Sequence, residues 1–138
     1  MGLDLVLEAA PRHDSPEEDW IELAYGRKTW SIAHFFERRC IATEGDWEYR
    51  VTRADWNAYI KYIQDWDLER IKKVLDFDNY DNVTEADLDY LMEFVDNLGE
   101  PVLGYDWDAR VMIEWYEANE AVQKAFNNNW YVRLIKSY

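Results

Sequence analysis

The sequence predicts a single α+β domain over residues 1–138 in which helices outnumber strands. Three observations carry that prediction. The chain has 138 residues and is 49% hydrophobic, which suits one core that needs no metal or disulfide. The Thr-x-x-Asp segments at residues 52–55 and 84–87 have the outline of helix capping boxes. Short alternating runs near both ends read as strands. The expected inventory is about four helices and three or four short strands in a small sheet.

Residues 3–7 form an apolar run with Asp4 as its one charge, a strand pattern. Residues 10–18 contain Pro11, Asp14, Ser15 and Pro16 and read as a turn-rich loop. Residues 21–25 fit a strand or a first helical turn, and Gly26 weakens either. Trp30, Ala33 and Phe36 share a helical face, so residues 27–40 read as a helix with Arg38 and Arg39 near its carboxyl end, where cations suit the dipole. After a turn at residues 43–46, residues 47–51 alternate as a strand.

Thr52-Arg53-Ala54-Asp55 opens a helix with Trp56, Tyr59, Ile60, Ile63 and Trp66 on one side, continuing to Leu75 with a bend at residues 65–67. Thr84-Glu85-Ala86-Asp87 opens another, with Leu88, Leu91, Val95 and Leu98 facing inward. Gly99 is expected as its cap, and Pro101 blocks continuation. A last long helix is expected over residues 106–126, with Val111, Trp115, Ala118 and Val122 as its core stripe. Asn127, Asn128 and Asn129 signal a turn, and residues 130–135 read as a final strand.

Charge narrows the function. The chain has 29 Asp and Glu against 15 Lys and Arg, a net charge of -14. Such an excess repels phosphates, so direct nucleic-acid binding is not expected, and basic protein surfaces are the favoured partners. Residues 74–109 hold eleven carboxylates and no Lys or Arg. Within them Glu85, Asp89, Glu93 and Asp96 step by four, four and three, which lines them along one helical face about 5–6 Å apart. Such a row can imitate a phosphate track. Glu100, Asp106 and Asp108 extend the same acidic field. Eight Trp and ten Tyr add a second candidate contact, the patch Tyr59, Tyr62 and Trp66, which suits a homodimer or partner interface, with core packing as the alternative.

The usual chemistry-bearing motifs are missing. Cys40 is the single cysteine, so no internal disulfide forms, and it reads as a small hydrophobe. His13 and His34 lack metal-ligand spacing, and no phosphate loop or nucleophile elbow occurs. Residues 76–87 resemble a calcium loop at Asp76, Asp78 and Val83. Tyr80, Asp81 and Asp87 stand where an oxygen ligand, glycine and glutamate are required, so an interhelical turn is the expected role. No catalytic residue, cofactor or metal is expected. Without a leader pattern or a run of eighteen apolar residues, the expected location is the cytoplasm.

Met1-Gly2-Leu3-Asp4-Leu5 and the segment from Ala24 to Phe36 resemble a family of small uncharacterised bacteriophage proteins. Ala24, Tyr25, Arg27, Lys28, Ile32 and Phe36 match that family. Gly26, Trp30 and Ala33 replace its Trp, Asn and His, and His34 is displaced by one position. Tyr49-Arg50-Val51-Thr52-Arg53-Ala54-Asp55 also follows its pattern, so the resemblance covers about the first 60 residues. It implies a viral origin, a host-cytoplasm location and, by analogy alone, an inhibitor of host defence or nucleic-acid machinery. The leading expectation is thus an acidic inhibitor or DNA mimic of a basic host protein, such as a nuclease or CRISPR-type effector. Arg27 and Lys28 are expected to orient the first helix through local acids or to meet a partner's carboxylates. The alternatives are a structural or regulatory phage protein without mimicry, and a small enzyme.

Overall fold

A computed structural model describes residues 3–138, apart from the Asn79 side chain; Met1 and Gly2, which begin the family resemblance, lie outside it. In chain order the elements are β1 (Asp4–Ala10), β2 (Ile21–Arg27), α1 (Trp30–Glu37), β3 (Ile41–Glu44), β4 (Glu48–Arg50), α2 (Arg53–Gln64), α3 (Leu68–Leu75), α4 (Glu85–Asp96), α5 (Tyr105–Glu117), α6 (Asn119–Asn127) and β5 (Tyr131–Ser137). The strands form one sheet in the order β2-β1-β5-β4-β3, every neighbouring pair antiparallel.

Alternation decides which sheet face is covered. Leu3, Leu5, Leu7 and Ala9 are buried in the same core as Trp56, Phe36 and Trp115, while Asp4, Val6 and Glu8 between them are half-buried. On that second face Arg133 is nearly buried. Its guanidinium contacts Glu8 at 2.6 Å and Glu48 at 2.9 Å, and lies 3.5 Å from the centre of the Trp20 ring.

The helical layer is organised by a connected series of aromatic rings. Trp115 meets Phe36, which meets Trp56 and Tyr59; Phe35 joins Tyr59 to Tyr62, and Tyr62, Phe94, Trp66 and Tyr90 continue the series. Burying a Tyr or Trp requires a partner for its polar tip. Trp56 donates to Asn119 Oδ1 at 2.8 Å, and other tips reach the backbone of neighbouring elements. Tyr59 donates to the Met112 carbonyl at 2.6 Å and Tyr62 to the Phe94 carbonyl at 2.6 Å, the latter in the last turn of α4, where carbonyls lack helical partners. Trp115 and Trp107 donate to the Tyr25 and Arg27 carbonyls of β2, at 3.1 and 2.6 Å. These indoles tie α5 to a strand at the margin of the sheet, where backbone groups otherwise face outward. At Gly26 on that strand, a Cβ would stand 2.6 Å from Thr29 Oγ1 and 3.0 Å from Val111 Cγ1, so glycine permits the close approach.

Several sequence expectations need correction. There are six α-helices among the described residues because two anticipated long helices are each divided. Asp67 caps α3 by accepting from Arg70 N, which starts a new helix after the bend. α5 ends at Glu117 with Ala118 as the joint before α6. Residues 41–44, with little alternation in burial, supply the strand β3. Both capping boxes form, at Thr52 with Asp55 and Thr84 with Asp87. α4 is capped by Asn97 rather than Gly99; a Cβ at Gly99 would lie 2.8 Å from the His34 ring.

Tyr59→Phe keeps the ring and removes the bond to Met112, so urea unfolding is expected to show a loss of about 1 kcal/mol. Tyr59→Ala removes the ring as well and is expected to cost about 3–5 kcal/mol. Equal stability of all three proteins would contradict this account of the core.

Candidate partner-binding face

The Thr84 box fixes the start of α4 and hence which side chains point outward. Leu91, Phe94, Val95 and Asp87 are buried, while Glu85, Asp89, Glu93 and Asp96 are exposed. None of these four carries an ion pair among the described residues. Asp87 contrasts with them. It contacts Arg70 at 2.7 Å and Lys73 at 3.1 Å and accepts from Thr84 N. Arg70, then Thr84 and Lys73, hold its carboxyl well below the usual carboxylate range. Arg70 and Lys73 of α3 thus meet an internal acid on the side of α4 turned away from the outward row.

A helical wheel at about 100° per residue exposes a feature missed in the sequence. Leu88 and Met92 fall between the buried arc and the acid row. Leu88, assigned to the core by its spacing, is 38% exposed, and Met92 is 43% exposed. With Leu91, Leu103, Gly104, Tyr105 and Asp106 they line a groove of about 340 Å³ between α4 and the start of α5. Val102 and Leu103 beside it are also exposed. The available sequence signal was the excess width of the apolar stripe on α4, where residues 88, 91, 92, 94, 95 and 98 cannot all face one core.

Other anticipated contact residues divide sharply. Glu100 and Asp106 are exposed, in keeping with an acidic surface. Asp108 is buried and cannot meet a partner. It accepts from the Ser31 hydroxyl at 2.5 Å, its other oxygen has no hydrogen-bond partner among the described residues, and burial raises its pKa against the opposing bonds from Ser31. Tyr59 is also fully buried, so its assignment to an interface is corrected. Tyr62 and Trp66 are half-buried against Phe94, and burial pushes the Tyr62 hydroxyl up to about 12. Their rings pack α2 and the turn that follows it against α4, so Tyr59, Tyr62 and Trp66 do not form an open patch.

Arg27 is exposed and Lys28 half-buried, and neither forms the expected local ion pair among the described residues. The backbone performs the positioning there instead: Lys28, at φ 54°, donates its amide to Leu3 O. His34 lies 3.6 Å from Glu37, which also binds Lys136. Burial first, and Asp55 second, push the Cys40 thiol up to about 12, so it remains protonated at neutral pH. Among the described residues, no cluster of His, Cys, Asp and Glu has the geometry to hold a metal ion. Also among them, no helix is long and apolar enough to cross a membrane.

Because the folded-state pKa of Asp87 is lowered, its contribution to stability is present above the unfolded value of about 3.9 and is lost as pH falls toward the folded value. Asp87→Asn is therefore expected to lower the thermal midpoint at pH 7, with the gap from the parent narrowing steadily below pH 4. A gap that widens on acidification would contradict the assignment. No protein-family model, curated protein or solved structure matches the chain, so the reading of this face rests on its own geometry.

Proposed function

We propose that this protein acts by covering a basic surface on another protein, of the kind that handles nucleic acid. The exposed row Glu85, Asp89, Glu93 and Asp96, without an ion pair among the described residues, carries this reading. Along a helix the row runs for about 16 Å, so it can meet several cations of a cleft at once. Ordinary solubilising surfaces mix both signs, and concentrating one sign costs self-repulsion. A net charge of -14 would also speed encounter with a cationic partner and repel competing nucleic acid. The resemblance to phage proteins supports a viral setting, in which the partner is a host nuclease or CRISPR-type effector in the host cytoplasm.

Affinity capture from a bacterial lysate, followed by association kinetics with the purified partner, tests the proposal. Association is expected to slow by about tenfold or more from low to physiological salt, where screening acts over about 8 Å. The combined variant Glu85→Gln, Asp89→Asn, Glu93→Gln and Asp96→Asn should fold normally and associate about tenfold more slowly at low salt. The partner should lose its nucleic acid when this protein binds. A partner that associates equally fast with both proteins, and keeps its nucleic acid, would overturn the proposal.

A further inference from the structure

We propose that the groove between α4 and the start of α5 receives the apolar side chains of a cationic amphipathic helix supplied by the partner. This inference rests on the acidic-surface reading above and adds a specific recognition mode to it. A phosphate mimic needs carboxylates alone, yet Leu88, Met92 and Leu103 stand open beside them. Isolated exposed apolar residues are ordinary on a protein surface. Gathered around a groove, these three offer a concave apolar contact with an acid at its lip.

Charge complementarity selects the occupant. Asp89 and Glu93 continue the acid row on the helix that carries Leu88 and Met92, and Asp106 belongs to the groove lining itself. A cationic segment can place apolar residues between these acids and Lys or Arg against them. The same carboxylates repel nucleic acid and anionic lipid. At about 340 Å³, the space lies at the small end for a ligand pocket and suits one or two large side chains.

Periodicity selects the occupant's conformation. The α4 acids repeat once per turn, in step with Leu88 and Met92, so an adjacent helix can match both with residues spaced by three and four. A partner strand would need free backbone donors and acceptors along one lip. α4 instead satisfies its central backbone groups internally. Met92 adds an unbranched, adaptable side chain that can fit differing apolar anchors.

The probe is a labelled helical peptide of about fourteen Leu and Lys residues with its leucines on one face, compared with a scrambled peptide of the same composition and with oligolysine. Fluorescence anisotropy is expected to show the amphipathic peptide binding about tenfold or more tightly than either control, and circular dichroism should show helix gained on binding. Leu88→Gln with Met92→Gln should remove about tenfold of that affinity while keeping its salt dependence. Glu85→Gln with Asp89→Asn should weaken both. If all three peptides bind alike and only the acid variants matter, the groove inference fails while the acidic-surface reading stands. If no peptide binds, or neither variant pair changes binding, both fail.

Discussion

The arrangement depends on one constraint: a large ring that enters the helical core with a polar tip must bring that tip to a hydrogen-bond partner. An unpaired hydroxyl or indole N–H in this core would oppose folding, whereas ring pairs add about 0.5–1.5 kcal/mol each beyond area burial. The connected rings from Trp115 to Tyr90 supply packing, and their tips supply direction. Tyr59 fixes α2 against α5, Tyr62 fixes α2 against α4, and Trp107 with Trp115 fixes α5 against β2. Once α5 and α4 are held in this way, the groove between them and the outward row on α4 follow from chain geometry.

The same constraint separates two uses of acidic residues. Asp87 and Asp108 work inside the domain, one between Arg70 and Lys73, the other against Ser31. Their environments move the carboxyl groups in opposite directions, downward where cations and amide bonds dominate and upward where burial dominates. The acids at 85, 89, 93 and 96 are instead exposed on the outer side of α4.

Much of the fold was legible in local chemistry. The two capping boxes located the starts of α2 and α4 because a Thr hydroxyl and a carboxylate at that spacing satisfy the amides of a first turn. The bend at residues 65–67 was legible, though not that Asp67 caps a separate helix, and the break at Ala118 was hidden because apolar spacing continues across it without Gly or Pro. β3 was illegible because its exposed side chains give no alternation. For the candidate site, spacing identified the acid row on α4. It could not tell that Tyr59 turns into the core or that Asp108 faces Ser31, because those contacts join residues 53 and 77 positions apart. Leu88 and Met92 were obscured by a stripe wide enough to serve both a core and a groove.

The functional account joins two features that separately have ordinary explanations. An acidic helix face can be simple solvation, and an apolar groove can be a packing remnant. Their placement side by side on one helix is the basis of the proposed recognition of a surface that is basic and apolar together. The most direct measurement is a two-dimensional NMR comparison of the protein alone and with the cationic amphipathic peptide. The account expects the largest shifts at Leu88, Met92 and Leu103 and at the backbone amides of Asp89 and Glu93. Shifts centred on Arg38 and Arg39, or on the sheet face around Arg133, with α4 unmoved, would contradict it.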